Sequence, residues 1–505
     1  MKKNIVIILL FLLTISLKAQ ETTPEDAIRY AVENLNGSAR FRAMSGAFGA
    51  VGGDLSAINQ NPAGSIFFNN NYATVTASDY NSKNSSNYFG NTTKKNNSSF
   101  DVNQLGAAFV FTDKNPKNNW KKIAVAFNYE NNNNFDNSIY SAGINPSNSI
   151  DKYFLRFANG LPQEGGISLQ TLQNANFSNL NFIDQQAFLG YQAYIFNPVD
   201  ANNPQNTLYG SNVPTNENYF QDNYSITRGY DSKVTGNISA AFKDKIILGF
   251  NFNYHYTDLI KTTSVYESYN TPDNNIGLQS VQFDNETHTF GNGISFNFGA
   301  IFKATNDMRI GLSYKSPTWY RLQDEQSQAI FSDCPDCSTS NPIIFNPRVT
   351  MIYLPYNIQT PSKWTTSFVY IFGKKGLFSA DISQSDFSKT RLKPKNDYAG
   401  INSYLNSALH NAIEVRLGGE YKFKQMSFRG GYRFEQSPYK VDRVFGDLTG
   451  YSGGLGYNFG ENRIDIAYSY EHRNFDNSFL SSGMTDTARI SRYNNNITLS
   501  YSVNF

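Results

Sequence analysis

The stretch Asn496–Phe505 reads N-I-T-L-S-Y-S-V-N-F. Ile497, Leu499, Tyr501, Val503 and Phe505 are apolar or aromatic, and Thr498, Ser500, Ser502 and Asn504 between them are polar. A strand built from it has one greasy face and one wet face. The same alternation recurs about a dozen times upstream, and a soluble sandwich would have to gather all those wide aromatic faces into one core. A closed barrel in a bilayer removes the difficulty: lipid takes the greasy face, the lumen takes the polar one, and closure leaves no unpaired edge. The terminal aromatic, Phe505, suits recognition by the barrel assembly machinery, an expected partner through the C-terminal strand.

The composition agrees. Hydrophobic residues make up only 40% of 505, mean hydropathy is -0.47, yet aromatics reach 15%, with 40 Phe and 33 Tyr. Membrane strands give this combination because only alternate residues meet lipid and tyrosines gather at the interfaces. The formal charge of +2 owes three lysines, Lys2, Lys3 and Lys18, to the first 19 residues. Without them the chain is close to neutral, and no nucleic-acid partner is expected.

Met1–Lys3 is a basic start, Ile5–Leu17 an apolar run, and Leu17-Lys18-Ala19 a small-residue cleavage site before Gln20. Residues 1–19 therefore read as a secretory signal peptide. Beyond it no apolar run reaches the roughly 20 residues of a membrane helix, so an exported protein held in a membrane must use strands. That places it in the outer membrane of a double-membraned bacterium. Cys334 and Cys337, in the run CPDC, read as a local disulfide, with a redox pair or half a zinc site as alternatives. No second Cys pair or nearby His completes a metal site, and no cofactor is expected.

Thr23-Pro-Glu-Asp predicts an N-cap opening a helix from Pro24 to about Leu35, which Gly37 can end. Residues 37–64, GSARFRAMSGAFGAVGGDLSAINQNPAG, do not alternate and are rich in small residues that let backbone pass close to backbone. Arg40, Arg42, Gly46, Gly49, Gly52 and Gly53, with the turn Asn61-Pro62-Ala63-Gly64, stand out. This segment resembles the N-terminal plug of the FadL/TodX family of outer-membrane transporters for long-chain fatty acids and other hydrophobic compounds. Further resemblance lies at Arg309–Pro317, Gly419–Lys422, Phe428–Pro438 and Gly454–Tyr470. The resemblance implies an all-β transmembrane antiparallel barrel of 14 strands, a small partly helical hatch inside the lumen (residues 20–71), ligand passage and a sideways exit into the bilayer.

Period-2 segments are counted independently near 72–80, 100–112, 121–131, 225–242, 246–266, 281–303, 308–328, 347–372, 376–390, 411–423, 426–437, 449–459, 463–474 and 493–505, an even set spanning residues 72–505. Short and long connections alternate, which puts both termini on the periplasmic side. The segment 347–372, with Pro355 and Pro361, reads as one strand with a bulge. Charges should face the lumen, because Lys or Arg toward mid-bilayer lipid costs about 2–4 kcal/mol. The alternation puts Glu414, Arg416, Glu420, Lys422, Arg429, Arg433, Glu435, Arg463 and Asp465 there. Arg40 and Arg42 are expected to dock on Glu414, Glu420 or Asp465 and hold the hatch shut.

The longest connection, the extracellular loop 132–224, carries two apolar clusters: Tyr153, Phe154, Leu155 and Phe157 beside Lys152 and Arg156, and Ile183, Ala187, Tyr191, Tyr194 and Ile195 at helical spacing with Phe182 and Phe188 flanking. They either cap the barrel mouth or also form a groove where a hydrophobic ligand lands, Arg156 meeting a carboxylate. The family's third strand carries a glycine-containing kink, but here that strand has neither Gly nor Pro, only Asn131–Asn134. Either that run makes the kink, or the sideways exit lies elsewhere, or it is missing.

No catalytic constellation emerges. His255, His288, His410 and His472 are scattered, and the glycine run of residues 46–53 lacks phosphate-loop spacing. The expectation is a monomeric, non-enzymatic outer-membrane channel for a small hydrophobic molecule, a long-chain fatty acid or similar, with haem as a weaker variant. The alternative is a structural or adhesive barrel whose Asn-rich loops bind a surface partner. A general porin is at odds with a plug, and a TonB-coupled importer with the strand number.

Overall fold

The computed structural model describes residues 23–115, 117–160, 165–215, 218–269 and 277–505. The expected signal peptide, residues 1–19, and residues 20–22 of the expected hatch lie outside the described residues. The described chain closes into an antiparallel barrel of 14 strands. These are β1 Tyr72–Tyr88, β2 Asn91–Thr112, β3 Trp120–Asn134, β4 Tyr219–Phe242, β5 Ile246–Ser268 and β6 Ser280–Lys303. Next come β7 (Met308–Lys315, then Trp319–Asp333), β8 (Tyr356–Gln359, then Lys363–Ile371), β9 Gly376–Asp386, β10 Asn411–Phe423 and β11 Met426–Glu435. β12 Phe445–Asn458, β13 Asn462–Ser478 and β14 Thr487–Asn504 complete the wall. Pairing of β1 with β14, from Tyr72 opposite Asn504 to Asn87 opposite Arg489, seals it.

β14 displays the governing rule. Ile497, Leu499 and Tyr501 are about half exposed on the outside, whereas Thr498, Ser500 and Ser502 are buried within. Ser500 donates nothing to lipid; its hydroxyl accepts from the Ala39 N–H at 2.7 Å and lies 2.7 Å from Thr76 Oγ1. Hydrogen bonds of this kind line the inner face, so each inward hydroxyl or amide exchanges water for a partner.

Two expectations about the wall are corrected. Residues 81–99 are not a loop: β1 and β2 continue past the apolar band and turn on Phe89 and Gly90, both at positive φ. Period-2 reading stopped early because, beyond the lipid, the outer face of the hairpin is wet and its inner face packs through polar Asn84 and Ser86 on Asn137 and Ser141, so the polar–apolar alternation vanishes while the ladder persists. The helix α1 spans Pro24–Ala31 and stops short of Leu35. Thr23 caps it as expected, in a box with Asp26. It ends early because Val32 turns extended and Glu33–Asn36 are drawn out toward the wall, as described below.

The 347–372 segment is one strand broken at both prolines, at 353–355 and 360–362. A matching break in β7, at Ser316–Thr318, was not foreseen.

The 132–224 connection folds into a short strand, Asn137–Asn145, and helices Asp151–Ala158, Leu169–Asn174 and Phe182–Gln192. The first and last of these helices bury Tyr153, Phe154, Phe157, Phe182 and Phe188 with Val265, Val281, Phe283 and Ile330 from the ends of β5, β6 and β7. The loop thus caps the mouth with its own core.

Candidate functional site: the lumen, its hatch and the wall around them

The hatch fills the lower lumen on two shallow beds. Helix α2, Ala39–Ala43, and the turn after it lie against Gly418, Gly431 and Gly454 of β10, β11 and β12, where a Cβ would fall 2.5–2.8 Å from Met44, Ser45 or Ala43. The Asn61–Gly64 turn, which opens a tight helical turn Pro62–Phe67, rests on Gly249, Gly299 and Gly311 of β5, β6 and β7. A Cβ on Gly299 would sit 2.0 Å from Asn61 Oδ1, and one on Gly311 2.5 Å from the Gly49 carbonyl. No side chain fits between these surfaces.

Asn61 holds the second bed together. Its Oδ1 accepts from the Ala63 N–H (3.1 Å), and its Nδ2 donates to the carbonyls of Gly49 (2.8 Å) and Ala300 (3.2 Å). The Pro62 carbonyl accepts from Asn237 Nδ2 at 2.9 Å. Gly49 N–H donates to Asp381 at 3.0 Å, and Gly46, Gly52 and Gly53 all take positive φ, the last closing on the Gly64 carbonyl at 3.1 Å.

Of the expected ionic contacts, Arg40 meets Glu420 at 3.0 Å. Burial opposes the Arg40 charge, but Glu420 outweighs it and holds the guanidinium above its ordinary range. Burial pushes the neighbouring Asp54 carboxyl up, while Arg40 and hydrogen bonds from Ser38 and Ser56 pull the other way. Arg42 meets no acid: fully buried, it donates to Ser78 and Ser469 (3.1 Å each) and lies over the Tyr80 ring. Glu414 and Asp465 are taken by wall cations instead, Lys363 (2.7 Å), Arg416 and Arg433 for the first, and Arg429 (2.8 Å) and Arg463 (2.9 Å) for the second. Glu435 pairs with Arg473 at 2.8 Å and with Arg433, and Lys422 stays half exposed near Glu420.

A second latch was missed. Glu33, on the extended segment after α1, pairs with Lys315 of β7 and approaches Lys363 of β8 at 3.6 Å, while its carbonyl accepts from Arg433 (2.9 Å). Nothing in the sequence pairs Glu33 with lysines some 300 residues away; the hydrophobic pattern carries no information about contacts across the lumen.

Spaces lie in the lumen around and above the hatch. A lower one is bounded by Tyr30, Val32 and Glu33, by Lys315 and Lys363, by Phe387 and Ile413, and by Asn132 and Asn133. An upper one, under the cap, is lined by Tyr153, Phe182, Leu259, Phe283, Phe479 and Leu480. Both touch Tyr30, whose ring lies tilted at 5.3 Å from that of Tyr320.

The wall gives way beside the lower space. β2 and β3 pair only as far as Gln104 opposite Glu130. At Asn132 the β3 register against β4 slips by a residue, and the strand bends inward into Asn137–Asn145. Side chains bridge the parting: Asn131 to Asp101 (2.6 Å) and Asn134 to Ser99 (3.2 Å). Hatch residues grip the bend, with Asn36 donating to the Asn132 carbonyl (2.7 Å) and Asn34 N–H to Asn133 Oδ1 (3.1 Å). The asparagine run thus makes the kink without Gly or Pro, through a bulge that leaves its amides free to bond sideways.

A hatch seated inside a barrel whose third strand kinks toward it is what the opening resemblance implied, and residues 231–478 match the family model described as outer membrane protein transport protein (OMPP1/FadL/TodX). The chain belongs to the FadL/TodX family. Its fold is that of the crystal structure of a Pseudomonas aeruginosa FadL homologue, at 14% identity over 94% of this chain and 100% of that one, with a TM-score of 0.53. The toluene transporter TodX of P. putida superposes with a TM-score of 0.50, at 14% identity over 94% of this chain and 99% of that one. No curated protein matches the chain by sequence. Family membership places this FadL/TodX protein among outer-membrane barrels.

The loop residues singled out for ligand do not form an open groove. Phe154, Phe157, Phe182 and Phe188 are core, Leu155, Ile183 and Tyr191 pack against that core from its edge, and Arg156 points to solvent. Phe182 lines the upper space. Cys334 and Cys337 are bonded to each other at the edge of the cap.

Proposed function

We propose that this protein carries a small hydrophobic compound, a long-chain fatty acid or a similar amphiphile, across the outer membrane. The solute passes beneath the cap to the lower space, displaces the hatch latches and leaves sideways at the β3 bend. One observation carries the reading: the lower space is walled at once by the Tyr30–Glu33 segment of the hatch and by Asn132 and Asn133 of the bend. A solute lodged there touches both the plug and the gap. Apolar walls would take its tail, and Lys315, now paired with Glu33, and Lys363, shared by Glu33 and Glu414, would take an anionic head.

Uptake of radiolabelled oleate and of toluene by cells carrying the full chain, compared with a variant lacking residues 20–64, tests this. Uptake above that of cells without the barrel, made unregulated or lost by the deletion, is the expected result. Uptake absent in both, with surface adhesion retained, would instead support the adhesive reading.

A further inference from the structure

A second discontinuity in the wall lies across the lower space from the β3 bend. The register that puts Lys315 opposite Lys363 and Trp319 opposite Gln359 also sets Pro317 opposite Pro361. Neither proline has an N–H to give, and both strands are interrupted there, over 316–318 and 360–362. Ser316 turns wholly to the other neighbour: its N–H donates to the Phe296 carbonyl (2.9 Å), its hydroxyl accepts from Phe296 N–H (2.9 Å) and donates to the Pro317 carbonyl (2.8 Å). Across the step, Thr360 N–H donates to the Thr318 carbonyl (3.1 Å), and Thr318 N–H must settle for the Thr360 hydroxyl (2.8 Å).

The next strand breaks at the same height. β8 and β9 pair up to Lys363 opposite Ser385 and resume at Gln359 opposite Arg391, so three residues of β8 face a tight turn, Phe387–Lys389, within five residues of the other chain segment. Three adjacent strands thus lose their ladder together. On the inside, Thr318, Thr360, Pro361, Ser385 and Phe387 all line the lower space. On the outside stand Trp319 and Trp364, 40% and 53% exposed, two of the three tryptophans in the chain. Tryptophan gathers at the membrane–water interface, which sets the break at the rim of the hydrocarbon.

We propose that the Pro317–Pro361 step is a second side portal, through which an apolar solute passes between the lower space and the outer leaflet. This rests on the transport reading above. No hatch residue bonds to 316–318 or 360–362 among the described residues, although Glu33 spans Lys315 and Lys363, the opposed pair just before the step. The portal opens by parting two hydrogen bonds where an ordinary strand pair of that length would have to break a full ladder.

The test seals the step reversibly. In a Cys334→Ser, Cys337→Ser background, Thr318→Cys with Thr360→Cys places two thiols on directly opposed residues. Oleate and toluene uptake is measured in cells after oxidation and again after reduction, with barrel folding checked by heat-shifted gel mobility. The expected result is a partial loss of uptake on oxidation, the β3 exit remaining open, that reverses on reduction. Equal uptake in the two states overturns the portal and leaves the transport reading standing; no uptake of either probe by the unsealed background overturns both. A second variant, Pro317→Val with Pro361→Val, restores ladder donors without new thiols: lowered uptake supports the portal, and unchanged uptake counts against it.

Discussion

Glu420 of β10 lies between two arginines from different parts of the chain, Arg40 of the hatch at 3.0 Å and Arg429 of β11 at 2.7 Å, with its own side chain fully buried. Glu420→Gln leaves Arg40 without its carboxylate, while Arg429 keeps Asp465 at 2.8 Å, and breaking a buried pair in this way costs about 3–5 kcal/mol. Arg40→Met leaves Glu420 still paired with Arg429 and is expected to cost less. Trypsin cleavage at Arg42 in membranes reads the loosening: fast in Glu420→Gln, slower in Arg40→Met, and slowest in wild type. Asp465→Asn, which removes no hatch partner, should leave the Arg42 site protected.

Glu33 reaches Lys315 and Lys363 from the segment that walls the lower space. Glu33→Gln keeps the shape but removes the charge, so the two lysines lose their shared partner. More frequent current openings in planar bilayers than the wild type shows are expected, with a barrel that still runs as folded on a gel. Wild-type gating in Glu33→Gln would assign the hold to Glu420 alone.

The glycine beds predict a purely steric effect. Gly311→Val drives a side chain into the Gly49 carbonyl, and overpacking of this kind costs about 1–3 kcal/mol. Its inner face meets only the hatch, so the barrel should fold and the hatch should lose protection. Gly236, where a Cβ meets nothing within 4 Å, is the control, and Gly236→Ala should change neither.

The barrel was legible because lipid and lumen impose a period of two, and every strand that crosses the apolar band carries it. Where that contrast ends the reading ended too: the outer halves of β1 and β2 are polar on both faces, and their two-residue turn at Phe89–Gly90 was taken for a long loop. The hatch motif was visible in its small residues, but its beds were not, because Gly249, Gly299 and Gly311 look like ordinary breaks in alternation until the strands are laid side by side. The loop aromatics were found with two surroundings open to them, and the structure shows the packed cap, since helical spacing marks a greasy face without saying whether ligand or protein covers it.

Lipid-facing positions should tolerate no charge. Leu499→Arg, near the middle of the apolar face of β14, is expected to destabilise refolding into lipid vesicles by about 2–4 kcal/mol in a urea titration. Thr92→Arg, on the hairpin beyond the apolar band, should fall within about 0.5 kcal/mol of wild type.

The central claim is that the lower space holds a hydrophobic solute. Ala412 and Thr318 both line it, and Ala412→Trp fills it from β10 while keeping the latch residues Glu33, Lys315, Arg40 and Glu420 themselves. Mass spectrometry of organic extracts from purified wild type and Ala412→Trp, prepared in the same detergent and both verified as folded, measures this directly. A hydrophobic compound enriched in the wild type and depleted in the variant is the predicted result; identical extracts from the two would contradict the account.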